Sequence, residues 1–186
     1  GGWYDGADYT DPVFDDEGNY AAQSGNDYAV RKGRSGIFAR FEQTVTRPNP
    51  LTKEGLTLFG AVLTGTSGEL IEDYYIKAGF VLRGTLASRP DDTIGFVFTR
   101  QQYSDEALED QRILRSINGG VGTPASSQTM LELSYGYQLN DHVRIQPNVH
   151  YIINPDQFAQ RDRVMALDDA IVLGLRFDVN LAALIL

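Results

Sequence analysis

Few side chains in this sequence could perform chemistry, and none has the neighbours that catalysis usually requires. His142 and His150 are the only histidines among 186 residues, and cysteine is absent. No serine stands in a nucleophile-elbow motif that could work with either histidine. The lack of cysteine excludes disulfides, thiol nucleophiles and cysteine-ligated metals. We therefore predict that the chain is not an enzyme and that it holds no cofactor and no metal.

Polar side chains instead recur at every second residue, which is the period of an extended strand. Over residues 130–139, glutamate, serine, glycine and glutamine alternate with leucine and tyrosine. Successive side chains of a β-strand point to opposite faces, so this period predicts a strand with one polar and one apolar face. Asn140 and Asp141 form a tight turn, after which the same period continues over residues 143–153. The two segments predict a long β-hairpin.

The same period predicts about eight strands, most of them long. The other segments are residues 37–42, 74–82, 94–99 and 171–179, with Trp3 and Tyr4 at the end of a further strand. Residues 56–64 are apolar at both parities, so the sequence assigns them no inward face. Most segments approach the roughly 9–11 residues of a tilted membrane strand, whereas soluble strands average about 5–6. An all-β, antiparallel transmembrane β-barrel is therefore predicted.

The predicted connections alternate between long and short. The long ones are residues 6–35, 65–73, 103–128 and 154–167, and the short ones are residues 46–55, 87–92 and 140–141. Outer-membrane barrels have long extracellular loops and short periplasmic turns, so the alternation agrees with the strand lengths. A helical turn or two is predicted within residues 107–117. The acidic stretches 11–17 and 105–110 are interpreted as solvated loops.

Composition excludes other classes of partner and of membrane protein. Although 42% of the residues are hydrophobic, every apolar run ends well before the roughly 18 residues of a membrane helix. The formal charge is −9 with only 16 lysines and arginines. Nucleic acid is therefore not expected as a partner, because phosphate backbones are bound by clustered cations. No basic segment followed by an apolar stretch opens the chain, so we expect the native N-terminus to lie upstream of Gly1.

Five short segments, spread over most of the chain, carry a family resemblance. They are residues 55–60 (GLTLFG), 73–79 (DYYIKAG), 84–93 (GTLASRPDDT), 146–155 (QPNVHYIINP) and 169–176 (DAIVLGLR). In these segments the chain resembles the carbohydrate-selective porins of the OprB type. The resemblance implies a sixteen-stranded barrel of the bacterial outer membrane that admits glucose and similar small sugars by passive diffusion. Residues 1–186 would be a single domain, the C-terminal half of that barrel.

In such a barrel the polar face lines a water-filled lumen, and its charged residues form the candidate site. By parity these residues are Arg40, Glu42, Lys77, Arg83, Glu132, Arg144, His150, Arg176 and Asp178. Guanidinium groups and carboxylates can bind the vicinal hydroxyls of a sugar weakly enough for release. Each residue has an equally weighted alternative role in a salt bridge of the wall, such as Arg144 or Arg176 with Glu132 or Asp178.

The expected partners are outer-membrane lipid and small sugars as transported solute, and the resemblance leaves a homo-oligomer open. Two other functions remain alternatives on the residues alone. One is a soluble or surface-exposed β-sandwich that binds carbohydrate or protein. The other, which the residues favour less, is a small outer-membrane barrel enzyme.

Overall fold

The chain folds into one antiparallel sheet of eight strands that follow each other in sequence order. The structure, a computed structural model, describes residues 1–48 and 51–180. The strands are β1 (Gly2–Asp15), β2 (Tyr28–Thr46), β3 (Gly55–Ser67), β4 (Glu72–Arg83), β5 (Thr93–Tyr103), β6 (Ser127–Asn140), β7 (Val143–Ile153) and β8 (Ala170–Val179). The helices are α1 (Ala21–Ser24), α2 (Asp105–Ile117) and a 3-10 helix (Phe158–Gln160). The prediction of an all-β antiparallel sheet with about eight strands is confirmed.

The strands are as long as the membrane-strand prediction requires, and two of them, β1 and β2, extend far into a predicted loop. The shortest, β8, has 10 residues and the longest, β2, has 19. Residues 6–15 and 28–35 were predicted as loop, and this prediction is wrong because β1 and β2 continue to pair there. A salt bridge of 3.2 Å between Arg34 and Asp5 joins β2 to β1 where the extensions begin. The alternation of polar and apolar residues does not predict this region, because two strands can pair through backbone hydrogen bonds without having an apolar face.

The pairing register assigns a face to the strand that the sequence left open. Directly opposed residues of an antiparallel pair lie on the same face. Ala61 of β3 is opposite both Arg40 of β2 and Lys77 of β4, so Ala61 belongs to the polar face. Among residues 56–64, the odd-numbered side chains therefore lie on the polar face and the even-numbered ones on the apolar face.

The apolar face of the sheet is continuous, and no second layer covers it in the described residues. Its side chains are widely exposed, by 51% for Leu133, 79% for Leu173 and 61% for Phe177. A β-sandwich, one of the alternatives, needs a second sheet packed on this face, and residues 1–48 and 51–180 form a single sheet. So large an apolar surface requires a hydrophobic environment.

The buried hydrophobic side chains lie away from this face, around the long loops. Within the described ranges they are Val13, Ala21, Ala22, Ala29, Tyr103 and Ala107. The segment predicted to hold a helical turn or two is the 13-residue helix α2. In the part of the chain that the structure describes, no helix combines the length and the apolarity needed to cross a membrane.

The long loops connect the two edges of the sheet. Arg161, in the β7–β8 loop, donates a hydrogen bond to the carbonyl oxygen of Pro12 in β1. In a flat sheet the first and eighth strands would lie about 34 Å apart, at ~4.8 Å per strand. Curvature of the sheet and the reach of the loop together close this distance. Among the described residues β1 and β8 each pair with one neighbour only, so this part of the chain is an open wall.

The short turn between β4 and β5 is fastened to β6 by one buried carboxylate. Asp92 accepts hydrogen bonds from the Arg89 guanidinium, from the Tyr135 hydroxyl and, at 2.9 Å, from the backbone N–H of Gln138. The Arg89 guanidinium also lies 3.9 Å from the centre of the Tyr137 ring. The hydrogen bonds from Arg89 lower the pKa of Asp92 well below its ordinary value of 3.8. The turn that the sequence predicted over residues 87–92 thus fixes the position of two hairpins.

We expect Asp92→Asn to lower the free energy of unfolding by about 2 kcal/mol, because the substitution removes the buried charge that three partly buried donor residues share. The measurement is urea unfolding in detergent micelles, followed by tryptophan fluorescence. Because the pKa of Asp92 is lowered in the folded state, its carboxylate stabilises the fold at pH values above its ordinary pKa of 3.8. The difference in the free energy of unfolding between wild type and variant should therefore be full above pH 3.8 and decrease in stronger acid.

The matched control is Asp91→Asn in the same turn. Asp91 is 59% exposed and pairs with Arg83, so its replacement should cost less than about 1 kcal/mol. Equal losses in the two variants would contradict the role assigned to Asp92.

Candidate functional site

All nine charged residues predicted from the sequence lie on the polar face of the sheet. The register shows this because Arg40 and Lys77 are both opposite Ala61, Glu132 is opposite His150, and Arg144 is opposite Asp178. The residues so placed are Arg40, Glu42, Lys77, Arg83, Glu132, Arg144, His150, Arg176 and Asp178. Their contact with a solute stays a prediction.

Two pairs of these residues make contacts within the wall. The Arg176 guanidinium donates to the Asp178 carboxylate at 2.7 Å, two residues along the same strand. His150 Nδ1 lies 3.8 Å from Glu132 across the β6–β7 pair, and its Nε2 is 3.0 Å from the Asn148 amide oxygen. The contact between Arg176 and Asp178 is a salt bridge of the kind that the alternative role describes.

Arg83, Arg144 and Glu42 come together at the end of the polar face that carries the short turns. They line a cavity of about 390 Å³. The Arg144 side chain crosses Gly136 to donate to the Thr93 hydroxyl, and a Cβ atom at Gly136 would collide with its guanidinium group. A glycine at this position therefore allows an arginine of β7 to reach β5.

Two cations of this cavity, Arg47 and Lys53, were missed by the sequence analysis. Both belong to the predicted turn 46–55, of which residues 49 and 50 lie outside the described residues. A turn has no strand period, so parity could not place these side chains on either face.

The polar face also carries an apolar patch at the opposite end, near the long loops. A cavity of about 370 Å³ is lined by Trp3, Leu63, Leu70 and Tyr75, with Gln101 among its polar neighbours. Parity alone assigns polar side chains to this face, so the patch was not predicted. The only signal was that residues 56–64 are apolar at both parities.

The interpretation of residues 105–110 as a solvated loop is wrong for Asp110. Its side chain is buried, and it accepts hydrogen bonds from the Tyr28 hydroxyl at 2.9 Å and from the Ala22 backbone N–H at 3.3 Å. Arg161 lies 3.3 Å from the same carboxylate. Burial raises the pKa of Asp110. Three long connections thus meet at one carboxylate, which no local pattern could indicate.

The interpretation of residues 11–17 as a solvated loop is wrong for two aspartates as well. Asp11 and Asp15 are buried. Asp11 accepts hydrogen bonds from the backbone N–H groups of Val13 and Phe14, at 2.9 Å each, and pairs with Arg31 at 3.2 Å. These carboxylates satisfy backbone donors in the extension of β1, so their role is structural.

In the ranges 1–48 and 51–180, no three histidine, aspartate or glutamate side chains are grouped so that they could hold a metal ion.

Comparison with known proteins identifies relatives over nearly the whole chain. The sequence model of the family described as "Carbohydrate-selective porin, OprB family" matches residues 1–181. Porin B of Pseudomonas aeruginosa is 28% identical over 183 residues, which cover 94% of this chain and 39% of that protein. The putative porin QuiX of Acinetobacter baylyi is 25% identical over 176 residues, which cover 87% and 38%. The chain therefore spans about two fifths of the length of these relatives.

Solved structures of one relative also match most of this chain and less than half of their own length. The high-pH structure of Pseudomonas putida OprB superimposes with a TM-score of 0.82 and 25% identity, covering 96% of this chain and 43% of that one. The low-pH structure of the same protein gives a TM-score of 0.50 and 22% identity over 79% and 38% of the two chains. The second likeness supports the fold alone.

Substitutions at two adjacent residues in the middle of β6 test which face of the sheet contacts the hydrocarbon of the membrane. We expect Leu133→Arg, on the apolar face, to reduce the free energy of folding into lipid vesicles by about 2–4 kcal/mol, because hydrocarbon does not solvate a guanidinium group. Ser134→Arg, on the polar face, should change it by less than about 1 kcal/mol. The measurement is a urea titration in vesicles. A larger loss for Ser134→Arg would reverse the assignment of the faces.

Proposed function

Because the chain belongs to the OprB family of carbohydrate-selective porins, and hence to the bacterial outer membrane, we propose that it forms part of the wall of a water-filled channel. Small carbohydrates such as glucose diffuse passively through this channel. The observation that carries the proposal is the two-faced sheet, whose register separates a continuous apolar surface from a charged one.

The apolar face has the properties of a lipid contact. Its aliphatic and aromatic side chains stay exposed in the chain by itself, as Leu173 and Phe177 do. Every backbone donor and acceptor within hydrocarbon must be paired, because an unpaired group there costs several kcal/mol. Seven consecutive antiparallel pairings meet this demand across the sheet.

The polar face has the properties of a channel lining. Its arginines and carboxylates can exchange hydrogen bonds with sugar hydroxyls, and several are held in place by each other, as Arg176 is by Asp178. The patch that contains Trp3 and Tyr75 offers an apolar surface beside the polar groups of Glu72 and Gln101. A few polar groups within an apolar lining are typical of small-molecule sites. Such contacts are weak one by one, and passage requires release.

We further propose that the described strands are the C-terminal half of a larger barrel. The chain spans 39% of Porin B, and the unpaired edges of β1 and β8 would not be tolerated by lipid. The end of β8, at Val179, lies opposite Val143 next to the tight turn between β6 and β7. The last strand would thus end on the periplasmic side, where such turns lie.

Catalysis is not part of the proposed function. His150 is hydrogen-bonded to Asn148 and faces Glu132, and among the described residues no serine hydroxyl is hydrogen-bonded to its ring. Transport through the channel should leave the solute chemically unchanged.

A liposome-swelling assay on the full-length protein tests the function. Vesicles that contain the protein should swell in isotonic glucose, and glucose recovered from inside should be chemically intact. Vesicles with heat-denatured protein serve as the control. Equal swelling rates with and without native protein would contradict the channel.

Charge reversal tests the predicted lining. We expect Arg144→Glu and Arg176→Glu each to shift the ion selectivity toward cations, measured as the reversal potential in a potassium chloride gradient, because each places a negative charge on the channel wall. Unchanged selectivity and unchanged glucose flux in both variants would exclude these residues from the lumen.

A further inference from the structure

We infer that the cavity at the short-turn end of the polar face binds the carboxylate of an anionic, hydroxylated solute, a sugar acid. The inference rests on the proposed function, since it requires that this face lines the channel. It adds a preference for charge to the proposed passage of neutral sugars.

The charge of this cavity is opposite to that of the chain as a whole. Four cationic side chains line it, against two carboxylates, and the Asp91 carboxylate pairs with one of the cations from outside the lining, which leaves an excess of one positive charge. The cations are Arg47, Lys53, Arg83 and Arg144, and the carboxylates are Glu42 and Glu54. The whole chain carries a formal charge of −9. A local excess of cations in a concave wall attracts anions.

The two arginines also have donors that the protein leaves unused. The Nε atoms of Arg83 and Arg144 are buried and have no hydrogen-bond partner among the described residues. Both side chains are held through Nη2 instead, Arg83 by Asp91 at 2.5 Å and Arg144 by the neutral hydroxyl of Thr93. A buried donor without a partner is unfavourable, so a ligand that accepts from it gains affinity.

A carboxylate suits these donors better than a hydroxyl does. The Nε and Nη2 hydrogens of arginine form a planar fork that matches the two oxygens of a carboxylate. When Arg144 releases the Thr93 hydroxyl and turns toward the cavity, both of its fork atoms can donate to the same anion. Arg83 stands beside it, because Arg83 is the register partner of Thr93 across β4 and β5. Two guanidinium groups therefore flank one position.

The remaining lining suits a polyhydroxylated chain. Thr44, Thr57 and Thr93 present hydroxyl groups, and Phe59 and Val81 present apolar surface. The volume of about 390 Å³ lies in the lower part of the range of small-molecule sites, which is about 300–1,000 Å³. Inorganic phosphate shares the negative charge of a sugar acid but has no hydroxylated carbon chain to contact the rest of this lining, so it separates a general anion site from a sugar-acid site.

The experiment measures block of the ion current through the full-length protein in planar bilayers. The probes are gluconate and glucose, which share a six-carbon hydroxylated skeleton and differ in charge, and inorganic phosphate. We expect gluconate to half-block the current at a concentration at least about tenfold below that of glucose, as a charge-assisted hydrogen bond predicts. In the double variant Arg83→Gln/Arg144→Gln, the ratio of the half-blocking concentration of glucose to that of gluconate should fall toward one.

Three further variants make the result specific. Asp91→Asn removes the negative charge that pairs with Arg83 and should strengthen the block by gluconate. Arg83→Lys/Arg144→Lys keeps the charges and loses the forks, so part of the preference should remain even if the glutamine variant fails to fold. Arg100→Gln is the matched control, because Arg100 lies on the apolar face, where its register partners are Ile76 and Thr129. This variant should leave the block by gluconate and the block by glucose unchanged.

Three outcomes would overturn the inference: glucose as effective as gluconate in wild type, an unchanged ratio in the folded glutamine variant, or inorganic phosphate as effective as gluconate. Failure of the proposed function is distinguishable, since it would appear as the absence of glucose flux through wild type in liposomes.

Discussion

The constraint on which this structure depends is the pairing of backbone hydrogen bonds in an environment without water. An unpaired N–H or C=O group in hydrocarbon costs several kcal/mol, and a helix of sufficient length and apolarity is not found in the described residues. The chain meets the constraint with a ladder of eight consecutive antiparallel strands. Because the ladder binds the strands together, the side chains are free to be sorted by face. This is why the wall has no hydrophobic core of its own, and why the buried apolar residues, such as Val13 and Ala107, cluster at the loops.

The polar face changes in character along the strands. The end near the long loops carries the apolar patch with Trp3 and Tyr75, and the short-turn end carries the cationic cavity with Arg83 and Arg144. Ion pairs such as Arg176 with Asp178 hold charged side chains against the wall. In the proposed channel, a solute that passes along this face would meet several different weak contacts rather than one strong site, and weak contacts permit release.

The two ends of the sheet are stabilised in different ways. The long loops are held by buried carboxylates, and Asp110 alone connects three of them through Tyr28, Ala22 and Arg161. The turn between β4 and β5 is held by Asp92, which gathers Arg89 and two groups of β6. At each end a buried carboxylate joins segments that are far apart in the sequence, and at the long loops it does so beside buried apolar side chains such as Val13 and Ala107.

The sequence by itself determined the features that depend on neighbours along the chain. A period of two residues predicted the strands and the face of all nine charged candidates, because side-chain direction alternates locally. The turn-forming residue types at 87–92 predicted the turn between β4 and β5. Tertiary structure decided what depends on residues far apart: the face of 56–64 followed from the register with Arg40 and Lys77, and the burial of Asp110 from its contact with Arg161, 51 residues away. The cavity in which Arg144 contacts Thr93 could also be found only from the tertiary structure. Alternation along the sequence predicts which way a side chain points and not which residue lies opposite it.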